Sequence, residues 1–263
     1  SREVTESQKE IKSQAVVCFQ NVTFQYLQNA APVLRQLSFS VKAGETVAII
    51  GGTGAGKTTL LRMALAEYKA NQGNILVNGK DVQSYDPKEL SKKISYVPQN
   101  SGLFKGSIAE NLRFRKADAS EEELWEALAD AQAEDFIRQM EKGLEAEAAQ
   151  GAKNLSGGQR QRLAVARALV GDAQIYLIDD CFSALDHETA SRLHRSLAKK
   201  IKGAAVLMAT SQISMIDDVD KIIVLDQGQI VGMGSHGALM QDCAFYRQLA
   251  HSQGIGEVTA DAR

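Results

Sequence analysis

A chain of 263 residues, 44% hydrophobic and 24% charged, has the make-up of a soluble globular protein with room for one large domain or two lobes. Its formal charge of -2 provides no basic surface for nucleic acid or anionic lipid. Three scattered cysteines, Cys18, Cys181 and Cys243, exclude a disulfide framework and a zinc site and fit a reducing compartment.

The opening SREVTESQKEIKSQ is polar, lacks the apolar core of a signal peptide, and reads as a linker over residues 1–14. AVVCFQNVTFQY and VLRQLSFSVKAG alternate apolar and polar residues, which predicts antiparallel strands. ETVAIIGGTGAGKTTLLRMAL reads as a buried strand, a Gly-rich loop and a helix. GNILVNGKDV predicts a short strand pair around an Asn-Gly turn. From Ser120 to Lys142 the chain is charged with a helical period, and Ser120 is placed to cap it. Another helix follows LSGGQ, Leu155–Gln159. AQIYLI and AAVLMAT are unbroken apolar runs, the pattern of strands covered on both faces, and both are too short to cross a bilayer. KIIVLDQGQIVGMG predicts a hairpin turning at Gln227–Gly228, and HSQGIGEVTADAR a flexible tail over 251–263. The fold class predicted is α/β: a P-loop NTPase core with an antiparallel β subdomain and a helical subdomain at about 101–165.

GGTGAGKT fits G-x-x-x-x-G-K-[ST] between a predicted strand and helix. Gly51, Gly52, Thr53, Gly54, Ala55 and Gly56 supply backbone N–H groups for phosphates, Lys57 reaches the β and γ oxygens, and Thr58 and Thr59, which open the helix, are expected to bind the nucleotide as well. This predicts ATP as ligand, with Mg²⁺ held by Thr58. The buried run IYLIDD ends in Asp179, a second Mg²⁺ acceptor, followed at once by Asp180.

With these two motifs, NLSGGQRQRLAVARAL resembles the signature region of ABC transporter nucleotide-binding domains. The resemblance runs from about Val16 to Leu249, giving a domain over 15–250 with the ABC ATPase fold. Ser156 can cap the following helix, while Gly157 and Gly158 let its backbone approach an anion. The resemblance implies that Ser156, Gly157, Gly158 and Gln159 touch the γ-phosphate of ATP held by another subunit, so that two domains close head-to-tail. It implies stacking of Tyr26 on adenine, where a core or edge-strand role is the alternative, and contact of Gln99 with Mg²⁺ and the attacking water. It places Asp186, in FSALD, against the opposite subunit. LFKGSIAENL, Leu103–Leu112, resembles exporter sequences more than importer ones, and Gln150 occupies the position of a Glu that meets membrane coupling helices. Exporter domains of this kind usually follow a transmembrane domain. That domain is expected as a partner outside this sequence, with the chain either an excised domain or a separate ATPase subunit. The location implied is the cytoplasmic face of the cell membrane, and the isolated chain is expected to be soluble.

Two positions depart from the family pattern. Asp180 stands where hydrolysing members carry the Glu that polarises water; one methylene less retracts the carboxylate by ~1.5 Å. After AAVLMAT the family carries a His that bonds the γ-phosphate; registering on DKIIVLD puts Ser211 there, or Gln212 if the register moves by one. His187, His194, His236 and His251 fall elsewhere and read as surface or loop residues. With Gln99, Asp180 and Ser211 at the catalytic positions, the combination resembles the degenerate-site subunit of a heterodimeric exporter. That implies a different chain as the second nucleotide-binding domain, slow hydrolysis at this site, and weak or absent ATPase activity alone. The alternatives are a fully hydrolysing homodimeric exporter domain or a separate importer ATPase. ABC proteins acting on DNA or ribosomes carry coiled-coil inserts or tandem cassettes, which this sequence does not show.

Overall fold

The computed structural model describes residues 15–100, 102–149, 152–216 and 218–255. Residues 1–14 and Gln150, for which a linker and a membrane-domain contact were expected, lie outside the described residues. In chain order the strands are β1 (Ala15–Phe24), β2 (Leu34–Lys42), β3 (Thr46–Ile50), β4 (Gln72–Val77), β5 (Lys80–Asp81), β6 (Ile94–Val97), β7 (Gly106–Ser107), β8 (Glu147–Ala148), β9 (Ile175–Asp179), β10 (Ala205–Thr210), β11 (Lys221–Asp226) and β12 (Gln229–Gly234). The described residues divide into two compact units, 15–90 with 205–255, and the residues between 91 and 204.

In the first unit β1 pairs antiparallel with β2 and with β4, and β4 with β5. The apolar alternation of β1 slips by one residue: Val17 and Phe19 are buried, then Val22 and Phe24. A bulge between Phe19 and Val22, with Asn21 at φ 49°, absorbs the extra residue and returns the apolar side chains to one face. The Asn78–Gly79 turn has φ 49° and 77°, the left-handed pair a two-residue hairpin needs. Beyond it, β3 runs parallel to β10 on one side and to β11 on the other, and β11 turns back into β12 through Gln227–Gly228 as expected. β10 is buried at every residue, as its unbroken apolar sequence predicts. Helices His236–Asp242 and Ala244–Ser252 lay Leu239, Tyr246 and Ala250 against Ala48, Ile50, Ile222 and Val224.

Two differences from expectation arise here. His236 is more than a surface residue, because its Nδ1 meets the hydroxyl of the fully buried Tyr246 at 2.8 Å and satisfies it. The last helix continues through His251 and Ser252, where a flexible tail was expected, because the chain there is still packing Ala250 and Ile255 into the core.

In the second unit β6 pairs parallel with the wholly buried β9. The helix expected from Ser120 to Lys142 is in fact Glu121–Asp130, then Glu134–Arg138, then a 3-10 turn at Gly143–Glu145. Ser120 caps the first of these with a reciprocal box to Glu123. It stops because Gln132 turns left-handed at φ 56°. Its N–H bonds Ala129 O at 3.0 Å, and Ala133 N–H bonds Leu128 O at 2.7 Å. The Gln132 carbonyl then receives Arg162 Nη1 at 2.5 Å, from helix Gly157–Leu169. Asn111 is buried and folds the LFKGSIAENL segment: it donates to Phe104 O and Ser107 O and accepts from Phe104 N–H, each at 3.0 Å.

Arg115 does similar work with a charge. Its guanidinium donates to the carbonyls of Ser91 (2.8 Å), Ile94 (2.9 Å), Lys92 (3.2 Å) and Asp172 (3.3 Å), and burial pushes its pKa down. Arg115→Ala is expected to destabilise the protein by about 2 kcal/mol, because the carbonyl of the buried Ile94 loses a charged donor and three more exposed carbonyls lose their common tie. Urea melts check this, and an unchanged midpoint would contradict it.

Candidate nucleotide site

The expected site residues fall in both units, and each half has its own geometry. In the first unit the chain leaves β3 at Ile50, turns through Gly51–Gly56 and enters helix Lys57–Ala64. A Cβ on Gly51 would lie 2.1 Å from Leu225 O, so the loop can begin only with glycine. Gly56, at φ 105°, is the helix N-cap. Lys57 Nζ donates back to Gly51 O at 2.6 Å and to Gly52 O at 3.1 Å, holding an ammonium across the loop. Thr53 and Gly54 are exposed, Ala55 is buried, and Thr58 is half-buried in the first helical turn. This is a cradle in which glycine backbone, a helix start and a cation converge, and it fits an anionic phosphate chain.

Thr59 is buried, and its Oγ1 is 2.8 Å from the Tyr26 hydroxyl. That bond fixes Tyr26 to the phosphate-loop helix while half of its surface stays exposed. Phe24 and Tyr68 meet the Tyr26 ring edge-on, at 4.9 and 5.3 Å between centroids. The arrangement leaves a flat aromatic surface at the rim of the cradle's own unit. Ser211 is exposed and directly follows β10, whose last residue Thr210 pairs with Ile50, the residue before Gly51.

In the second unit Asp179 ends β9 and is buried, with Tyr96 donating its hydroxyl to Oδ2 at 3.2 Å. Asp180 follows with a left-handed backbone at φ 43°, a conformation Asp tolerates better than most residues. Gln99 Nε2 donates to Asp180 Oδ2 at 3.4 Å, so the structure brings these two expected residues together. Cys181, next along, is fully buried and burial pushes its thiol pKa far up, which leaves it chemically quiet. Asp186 caps helix His187–Lys200, and the backbone N–H of Thr189 holds its carboxyl below the usual range.

The signature residues also have local duties. Ser156 Oγ accepts from Gln159 N–H at 3.2 Å, and Gln159 Oε1 accepts from Ser156 N–H at 2.8 Å, closing a capping box. A Cβ on Gly158 would press on Leu185 and Ala184, whereas Gly157 faces open space out to Arg160. A family model described as ABC transporter matches residues 34–183, the stretch that holds the phosphate loop, the signature and both aspartates.

The chain belongs to the ABC transporter family.

Relatives extend the ABC match over nearly all of the sequence. An uncharacterized ABC transporter ATP-binding protein of Mycobacterium tuberculosis is 42% identical over 243 residues, which is 91% of this chain and 41% of the relative. An ATP-dependent lipid A-core flippase of Alcanivorax borkumensis is 40% identical over 232 residues, 88% of this chain and 40% of the relative. The solved structure of a bacterial Atm1-family ABC exporter with ATP bound superposes with a TM-score of 0.88 at 34% identity, covering 92% of this chain and 42% of that one. This ABC domain therefore spans about 40% of the length of the curated relatives it matches.

Several residues that shape the candidate site carried no signal in the sequence, or a weak one. Tyr96 touches Asp179 across two strands. Ser95 Oγ donates to Ala168 O at 2.6 Å, and the buried Gln161 donates to Pro98 O at 3.3 Å, tying the signature helix to the strand that leads into Gln99. Only Gln161 carried a signal, a polar residue on the helix face that otherwise buries Ala164, Val165 and Ala168.

Proposed function

We propose that this chain is the ATP-binding domain of an ABC exporter, and that it works as the slow-site half of a pair. In this reading Tyr26 stacks on adenine, the Gly51–Gly56 backbone and Lys57 hold the phosphates, and Thr58, Gln99 and Asp179 take Mg²⁺. Bound Mg²⁺ supplies neutralisation of phosphate charge. Ser156–Gln159 and Asp186 complete a site on a second nucleotide-binding domain carried by a different chain. A membrane domain at the cytoplasmic face couples that closure to export. The observation that carries ATP binding is the Lys57 ammonium lying on the Gly51 and Gly52 carbonyls across a glycine-started loop. Export, as opposed to import, draws support from relatives named as lipid A-core flippases and from the ATP-bound exporter structure.

The slow-site reading draws on Asp180 and Ser211. A general base must first be within reach of its proton, and a carboxylate one methylene short of the family's Glu is short by more than ~1 Å, a displacement that costs on the order of a hundredfold. Ser211 offers a hydroxyl, and no charge, at the position of the γ-phosphate His.

The test uses the chain with and without a second nucleotide-binding domain that carries Glu and His at the matching positions. The unmodified chain is expected to bind MgATP in a direct titration, and absence of binding would end the ATP reading. With the partner present, Asp180→Asn is expected to leave total turnover nearly unchanged. Collapse of turnover would show a working base at Asp180 and refute the slow site.

A further inference from the structure

Helix Ala244–Ser252 ends in a rigid stop. Gly254, at φ 71°, donates its N–H to His251 O, and Ile255 N–H donates to Ala250 O, both at 3.0 Å. These two bonds and the left-handed glycine make a Schellman cap. Ile255 packs against the buried cluster that contains Ile213 and Ile216, so the cap is anchored to the core.

Gln253 stands immediately before that glycine. Although it is exposed, both ends of its amide are used: Oε1 accepts from Ile213 N–H at 2.9 Å, and Nε2 donates to Ser211 O at 2.7 Å. The orientation of the amide follows from its partners, since an N–H only donates and a carbonyl only accepts. The residue between them, Gln212, donates its N–H to Thr210 Oγ1 at 3.0 Å. The backbone of the loop after β10 is therefore held from both sides, by the strand end and by a side chain 42 residues further on. That loop leaves its strand beside the start of the phosphate loop, because Thr210 pairs with Ile50.

We infer that Gln253 is a positioning residue: it sets the loop bearing Ser211 next to the phosphate cradle and so makes the last helix part of the discrimination between ATP and ADP. The inference rests on the nucleotide-binding reading above and adds a residue to it. Gln253 touches no phosphate itself, and its effect passes through the Ser211 carbonyl and the Ile213 N–H.

The test is calorimetric titration of the full chain with MgATP and, separately, MgADP. Gln253→Leu, which keeps the bulk and removes both bonds, is expected to weaken ATP binding about fivefold. Affinity for ADP is expected to stay where it was, and the melting temperature to fall slightly, because the Ile213 N–H loses its acceptor. Gly254→Ala acts on the same loop from a distance. A Cβ there meets nothing within 4 Å, so only the left-handed backbone suffers. It should give the same ATP-selective loss, and Gly254→Asn, which tolerates that backbone, should restore affinity. Equal weakening of both nucleotides, or no change in either, overturns the inference while leaving nucleotide binding intact. If the unmodified chain binds neither nucleotide, the reading beneath it falls as well.

Discussion

Asp180→Glu combined with Ser211→His is expected to raise ATP turnover at this site about a hundredfold when a partner domain supplies its signature. Asp180 sits on a left-handed residue, and its Oδ2 lies 3.4 Å from Gln99 Nε2, so the carboxylate is already held near the glutamine expected at the attacking water. In the proposed slow-site reading it lacks length, and the added methylene restores ~1.5 Å. The histidine supplies a longer donor, which can also carry a positive charge, in place of the short, uncharged Ser211 hydroxyl. Glu is less comfortable than Asp at φ 43°, so the double variant should lose about 1 kcal/mol of stability while gaining rate. The check is steady-state turnover of the mixed pair with the partner's own Glu replaced by Gln, so that only this site contributes. A rate that does not rise would mean that carboxylate reach is not what limits the site.

Gly51→Ala is expected to remove nucleotide binding and to destabilise the fold by about 3 kcal/mol. Its Cβ would stand 2.1 Å from Leu225 O and 3.1 Å from Ala55 Cβ. Leu225 is a fully buried residue of β11, so neither that strand nor β3 can step aside. Gly52→Ala makes a sharp control, because a Cβ on Gly52 meets nothing within 4 Å. That neighbour should fold and bind ATP like the unmodified chain. Thermal melts and ATP titration of the two variants decide the matter. An unperturbed Gly51→Ala would show that the loop starts elsewhere.

Local chemistry was legible in the sequence. The alternation of β1, the Asn78–Gly79 and Gln227–Gly228 turns, the Ser120 cap and the glycine-lysine loop each carry their reason within a few residues. Less was legible where the reason is distant or has no residue-type marker. The helix break at Gln132 uses a left-handed residue that is not glycine, so the usual stop signal is missing. β7 and β8 are two residues each, too short to show a period. At the candidate site, residue types were readable but their tethers were not. Thr59 with Tyr26, Tyr96 with Asp179, and Gln253 with Ser211 are pairings 33, 83 and 42 residues apart, made by the fold.

The cysteines have a practical consequence. Cys181 and Cys243 are buried, Cys181 with its thiol pKa pushed far up by that burial, and Cys18 is the half-exposed member of the three. Alkylating reagents at neutral pH should therefore find Cys18 first, and Cys18→Ser would leave a chain nearly silent to maleimide. Spectroscopic labels attached through new cysteines, one in each unit, would then report a distance between them as nucleotide is added, with little background from the two buried native thiols.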